Sequence, residues 1–131
     1  MSFCLKEWMP LNVPSKDQHL DKALDNEAFY GAVRSSLASY EGWQVTTIFY
    51  AALHYIDAYM ATMNRHPKRH QDRDLLISRE SKLRRIAPDY FALRDRSIDA
   101  RYEVVNFPSG FPQLKFTGEL NRIRSHIQPL L

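Results

Sequence analysis

Glycine and cysteine are scarce in this sequence, and the charges of the two signs nearly balance. Four glycines among 131 residues are too few for the many tight turns of an all-β sandwich or barrel. The single cysteine, Cys4, excludes an internal disulfide, so we expect a reducing, cytoplasmic compartment. The first ten residues contain Lys6 and Glu7 where a signal peptide needs an apolar core, so we expect no secretion signal.

One nearly uncharged run, residues 43–63, is as long as a bilayer-spanning helix. His54 and Asp57 would then lie near the middle of the membrane, where ionisable groups are costly. The run therefore predicts a central helix of a soluble bundle and no contact with a membrane. The chain length fits one domain with a single hydrophobic core.

Apolar residues recur at helical spacing in five segments. Pro67 and the break at residues 40–42 separate some of them, and Pro88 fits the first turn of the fourth. Ser15 or Asp17 is the predicted cap of the first helix. The predicted helices span about residues 17–36, 43–64, 70–86, 88–102 and 115–128, with an irregular connector over 103–114.

These segments predict an all-α, up-and-down helical bundle of about five helices. Residues 1–14, which contain Pro10 and Pro14, are predicted to form an N-terminal arm. Residues 15–131 are predicted to form the helical domain.

Positive charge is concentrated in one part of the chain. Between residues 65 and 85, eight Lys or Arg residues accompany three acids, which gives +5 against a total of +3. Such a segment is either a solvated helix face or a patch that contacts phosphate or acidic groups. Within it, we expect Lys68, Arg69 and Arg73 to contact the anion.

Three stretches carry a family resemblance: FYAALHYIDAY, a turn with HPKRHQDR, and YFALRDRSIDARY. Together they resemble small bacterial proteins of the HEPN superfamily, named after the nucleotide-binding domain of higher eukaryotes and prokaryotes, over about residues 19–130. The resemblance implies a helical bundle that dimerises. Family members are ribonucleases or RNA-binding partners in toxin–antitoxin, antiviral and CRISPR systems, and others accompany nucleotidyltransferases.

The ribonuclease signature of that family is an arginine followed at a short distance by a histidine. Arg65 and His70, with four residues between them, have this spacing. In the metal-independent reaction that the resemblance implies, His70 would be the general acid and base, and Arg65 would stabilise the phosphorane-like transition state. The pair lies in the turn before the third helix, whereas the family carries its motif near the start of a late helix.

Two ionisable residues of the central helix form a second candidate site. Tyr50, His54 and Asp57 share one helix face by their spacing of four and three. Either Asp57 orients a catalytic imidazole, or these buried groups bond each other or an arginine of a neighbouring helix. A buried Asp57 needs a cation, and we predict Arg101 for that role.

The start of the third helix is a third candidate. His70 and Arg73 lie one helical step apart where backbone N–H groups favour an anion, although an exposed basic turn is the alternative. Ser97, four residues before Arg101, is interpreted as a small residue that lets helices approach closely. No cysteine cluster or His-Glu-x-x-His pattern occurs, so we expect no metal site and no cofactor.

We predict that one polar groove of a homodimer binds RNA or a nucleotide. Its predicted residues are His54, Asp57, His70, Arg73, Ser97 and Arg101. Three functions stay open: a non-catalytic regulatory module of the toxin–antitoxin or defence type, a metal-independent endoribonuclease using Arg65 and His70, and a protein-interaction dimer without a nucleic-acid role.

Overall fold

A computed structural model describes residues 13–36, 40–102 and 115–131 of the chain. These ranges contain five α-helices and no strand, so the predicted all-α bundle is confirmed. Short 3₁₀ turns follow the third and fifth helices, at Ser81–Leu83 and Gln128–Leu130. The helices are α1 (Lys16–Ser36), α2 (Glu41–Thr62), α3 (His70–Arg79), α4 (Ala87–Tyr102) and α5 (Thr117–Ile127). Most of the predicted arm and the whole predicted connector lie outside the described residues.

Helix α1 begins with a reciprocal pair of hydrogen bonds between Ser15 and Gln18. The Gln18 backbone N–H donates to Ser15 Oγ at 3.2 Å, and the Ser15 N–H donates to Gln18 Oε1 at 2.9 Å. This capping box satisfies two backbone donors that the helix itself leaves without partners. Of the two predicted caps, Ser15 therefore serves, while Asp17 lies in the first turn, where negative charge is favourable.

Helix α2 is the centre of the bundle. Fifteen of its residues are buried, on all sides of the helix, and it packs against α1, α4 and α5. Small residues such as Ala51 and Ala52, both fully buried, let the neighbouring helices approach closely. The hydroxyls of Thr46 and Thr47 donate to carbonyls within the same helix, so their burial leaves no unpaired donor.

The end of α2 is a Schellman turn. Asn64 has a φ of 57°, a left-handed conformation that asparagine tolerates better than most residues. The Arg65 N–H donates to the Met60 carbonyl, and the Asn64 N–H donates to the Ala61 carbonyl, each at 3.0 Å. The chain then reverses into the segment that holds Pro67, as the sequence predicted.

Helix α3 is shorter than predicted. It ends at Arg79, and the chain continues as a 3₁₀ turn in which the Glu80 side chain accepts from the Lys82 N–H. The prediction of a helix that continues to residue 86 is therefore wrong. The apolar residues keep a helical spacing through the break, so their pattern gives no sign of it. The turn still brings Leu83 and Ile86 into the core.

None of the helices in the described ranges has the length and apolar character needed to cross a membrane.

Candidate functional site

A polar seam runs between α2, α3 and α4. We use this name for nine side chains whose contacts connect the three helices: Tyr50, Asp57, His70, Arg73, Asp74, Tyr90, Arg94, Ser97 and Arg101. Five of the six residues predicted to share a groove lie in the seam, with direct contacts or complete burial. The sixth, His54, faces a different pocket next to it.

A buried ion pair joins α2 to α3. Arg73 Nε donates to Asp57 Oδ1 at 2.7 Å, and Arg73 Nη2 donates to Asp57 Oδ2 at 2.9 Å. The Nη2 group also donates to the Pro67 carbonyl at 3.0 Å. Only 6% of the Arg73 side chain and 5% of the Asp57 side chain are exposed. Two parallel charge-assisted bonds of this kind fix the relative position of their helices.

This ion pair corrects two predictions. The cation of Asp57 is Arg73 and not Arg101, because Arg73 reaches back across the turn from the first part of α3. The guanidinium of Arg73 therefore lies inside the protein and not at the surface, where we expected it to contact an anion. A side chain in the first turn of a helix can point into the protein or toward solvent. Here the buried carboxylate of Asp57 holds Arg73 inside the protein.

His54 contacts a histidine of α1 that the sequence analysis missed. The Nδ1 atoms of His19 and His54 are 3.1 Å apart, so one imidazole donates its proton to the other. Next to them is a cavity of about 350 Å³, lined by Pro14, Gln18, His19, Lys22 and His54, which we call the histidine pocket. The one sign in the sequence that His19 points inward is its spacing of four from Ala23. Both residues are buried and share the inner face of α1.

Burial keeps both imidazoles of the histidine pocket neutral. It lowers the pKa of His54 to about 4, against an opposing attraction from the Asp57 carboxylate. Burial also lowers the pKa of His19. Both imidazoles lie close to the Asp57 carboxylate. One ring nitrogen of His19, one of His54 and one carboxylate oxygen of Asp57 are within 4.8 Å of one another. The predicted proximity of His54 and Asp57 is thus present, with His19 as its third member.

His70, the first residue of α3, is surrounded by arginines. Its Nδ1 is 3.5 Å from Arg73 Nη1, and its ring centroid is 5.9 Å from that of Phe49. Burial lowers the pKa of His70, and the positive charges of Arg73, Arg94 and Arg101 lower it further. At neutral pH the imidazole is therefore uncharged, in a positive surrounding that favours an anion.

Arg101 lies among aromatic rings in the last turn of α4. Its Nη1 donates to the Tyr50 hydroxyl at 2.5 Å, and its guanidinium carbon is 5.5 Å from the Tyr50 ring centroid and 5.3 Å from that of Tyr102. Over the described ranges no carboxylate forms an ion pair with Arg101, and its Nε has no hydrogen-bond partner there. Arg94, on the same helix, is instead paired with Asp74 at 3.0 Å.

Two buried hydroxyls complete the seam. Ser97 and Tyr90 are fully buried on α4, and neither hydroxyl has a hydrogen-bond partner among the residues that the structure describes. Burial raises the pKa of Tyr90, so its hydroxyl stays protonated. The burial of Ser97 fits its interpretation as a small residue at a close helix contact.

The structure gives the two residues of the predicted nuclease pair different surroundings. Arg65 is exposed, and its positive charge acts on Tyr59, whose pKa is raised mainly by burial. The charges that act on His70 come from the arginines of α3 and α4 and from Asp74. Lys68 and Arg69 are exposed as predicted, although Arg69 is paired with Asp72 at 2.9 Å.

Comparisons of this chain with protein-family models, with curated proteins and with solved structures found no match. The HEPN resemblance therefore stays a prediction, and the geometry of the seam carries the functional interpretation.

Removing Arg73 should destabilise the fold, because Asp57 would remain as an unpaired charge in the interior. We expect Arg73→Met to lower the free energy of unfolding by about 3–5 kcal/mol, and Asp57→Leu with Arg73→Met to recover most of the loss. Urea denaturation followed by circular dichroism measures both. The matched control is Arg69→Met, whose ion pair is exposed and whose loss should change little. Equal effects of Arg73→Met and Arg69→Met would contradict this role.

The depressed pKa of His54 predicts a pH dependence of stability. Between pH 6.5 and about 4 the unfolded chain protonates this imidazole while the folded chain does not. The free energy of unfolding should therefore fall as the pH is lowered through this range. Urea denaturation at several pH values in EDTA measures the slope, which His54→Gln should flatten and His126→Gln should leave unchanged. A slope that His54→Gln does not alter would show that other groups cause it.

Proposed function

We propose that this chain is a HEPN-like, cytoplasmic, non-catalytic module that binds RNA through an anion site between α2, α3 and α4. We call this the His70–Arg101 site and define it by His70 and Arg101 with the rings of Phe49, Tyr50 and Tyr102. The observation that carries the proposal is the Arg101 guanidinium, which lies close to three aromatic rings and forms no ion pair with a carboxylate of the described residues. The resemblance adds the class of module, a bacterial regulator of the toxin–antitoxin or defence type.

Arg101 is prepared for a phosphate by its surroundings. The Tyr50 hydroxyl and the nearby rings of Tyr50 and Tyr102 restrict the guanidinium before any ligand arrives, which lowers the entropic cost of binding. The guanidinium presents several N–H donors in one plane, and this geometry matches two phosphate oxygens. Because the side chain is half-buried, its attraction for an anion is less screened than that of a surface residue.

His70 adds a second group to the same site. The Phe49 ring centroid is 5.9 Å from the His70 ring and 6.0 Å from the Arg101 guanidinium carbon, so both residues flank one aromatic ring. A phosphate between them would accept from Arg101 and would raise the pKa of His70, which then contributes a further donor.

The surface around the site favours an extended nucleic acid over a small anion. Tyr102 is 75% exposed, and its ring lies against Arg101, where a base can stack. Seven of the eight basic residues between 65 and 85 are exposed, and only Arg73 is buried. Such charges, in the turns before and after α3 and at its last residue, attract a backbone with many phosphates.

The alternative of a metal-independent endoribonuclease using Arg65 and His70 has less support. A catalytic arginine must act on the group that His70 protonates or deprotonates. The charge of Arg65 acts on Tyr59, whereas the Arg101 guanidinium lies over the Phe49 ring, which contacts His70. We therefore propose binding without cleavage, and an RNA integrity assay in EDTA belongs to the same experiment.

We also propose that the module is a homodimer. Phe29, Tyr40 and Trp43 are more than half exposed, and with Val33 they line an apolar depression of about 300 Å³ between the ends of α1 and α2. Exposed aromatic clusters of this kind mark interaction surfaces, and the HEPN resemblance implies a second copy as the occupant. A different protein partner is the alternative that a monomeric wild type would favour.

Replacing Arg101 should weaken RNA binding and its dependence on salt. In fluorescence anisotropy with a labelled single-stranded RNA in EDTA, we expect Arg101→Gln to raise Kd about tenfold or more. The slope of log K against log salt should become flatter by about 0.7, the share of one phosphate contact. The matched control is Arg122→Gln, an arginine of α5 that is paired with Asp89. Equal affinity of Arg101→Gln and wild type, or binding without a salt slope, would contradict the proposal.

The oligomeric state tests the dimer independently of RNA. Light scattering should give twice the chain mass of 15.4 kDa for wild type. Trp43→Glu places a charge in the aromatic depression and should yield a monomer, whereas Leu75→Glu, at an exposed apolar residue of α3, should remain a dimer. A monomeric wild type, or a dimer that survives Trp43→Glu, would remove this surface from the proposal.

A further inference from the structure

We propose that His19, His54 and Asp57 form a binding site for a divalent transition-metal ion of the Zn²⁺ class. This site lies in the histidine pocket, apart from the His70–Arg101 site, and the proposed RNA binding does not require it. It also departs from the expectation that the protein has no metal site.

Two of the three ligand atoms already have nearly the separation that an ion needs, and the third is close to them. The Nδ1 atoms of His19 and His54 are 3.1 Å apart, and the ligand atoms of all three residues lie within 4.8 Å of one another. Two nitrogens at about 2.0–2.1 Å from a tetrahedral ion are roughly 3.3 Å apart. The two imidazoles are therefore placed to share one ion, and the Asp57 carboxylate lies close enough to become its third ligand.

The donor set selects the class of ion. Two imidazole nitrogens and one carboxylate oxygen suit Zn²⁺, Co²⁺ and Ni²⁺, whereas Mg²⁺ and Ca²⁺ prefer sites made of oxygen ligands. Three protein ligands leave a fourth position for water. The adjacent cavity of about 350 Å³, with Gln18 and Lys22 at its rim, provides the space for that water and a path for the ion.

Asp57 retains the capacity to bind an ion while it is paired with Arg73. An ionised carboxylate has about four acceptor positions, and the two bonds from Arg73 use two of them. Arg73 then holds the Asp57 carboxylate in place from outside the site, as groups bonded to metal ligands do in other metal sites.

The ligands come from two helices that fix them in advance. His54 and Asp57 are three residues apart on one face of the rigid central helix α2. His19 lies in the second turn of α1, just after the capping box of Ser15 and Gln18. A bound ion would cross-link α1 and α2 and stabilise the bundle.

The test is a titration of the untagged full chain, stripped with EDTA and returned to chelator-free buffer. With Co²⁺ we expect the visible absorption of a tetrahedral ion, saturating at one ion per chain, and calorimetry with Zn²⁺ should give the same stoichiometry. The melting temperature should rise with Zn²⁺ and not with Mg²⁺. His19→Gln and His54→Gln should each raise the Kd for Zn²⁺ tenfold or more, while His126→Gln, on α5, should leave it unchanged.

Two results would overturn the proposal. The first is the absence of saturable Zn²⁺ and Co²⁺ binding by folded wild type, which would mean that the two histidines only hydrogen-bond to each other. The second is stoichiometric binding that persists in the His19→Gln, His54→Gln double variant, which would place the ion elsewhere. His19→Gln alone decides the question if His54→Gln fails to fold, and the RNA assay in EDTA is independent of either result.

Discussion

The ion pair of Asp57 and Arg73 is the constraint on which the other features of the seam depend. A buried carboxylate on the central helix requires a counter-charge, which Arg73 provides. Arg73 also holds the turn between α2 and α3 in position, because it donates to the Pro67 carbonyl. Helix α3 is thereby fixed against α2. His70 lies beside one edge of the pair, and His19 and His54 lie near the other.

The balance of charge along the seam gives the two sides different chemistry. Asp57 neutralises Arg73, and Asp74 neutralises Arg94. Arg101 lies close to the rings of Tyr50 and Tyr102, and it forms no ion pair with a carboxylate of the described residues. The histidine pocket, in contrast, combines neutral nitrogens with a nearby carboxylate. This difference is why we propose a phosphate for the first arrangement and a cation for the second.

Helical periodicity and local capping rules predicted much of this structure from the sequence. The five helices, the central position of α2 and the cap at Ser15 all follow from residues that are near one another in the chain. Contacts between helices did not follow, because they depend on how each helix is rotated about its axis. Arg101 was therefore chosen for Asp57 in place of Arg73, and His19, which is 35 residues from His54, was not connected with it. The end of α3 at Arg79 was also missed, because Leu83 and Ile86 continue the apolar pattern through a change of helix type.

The most direct measurement of the central claim is an NMR titration of the histidine side chains with single-stranded RNA in EDTA. A phosphate at the His70–Arg101 site should shift the His70 imidazole resonances and raise the pKa of His70, because the added negative charge favours the imidazolium. The resonances of His126, on α5, should not move. Binding of RNA that leaves His70 unchanged would contradict the claim that the cationic side of the seam is the site.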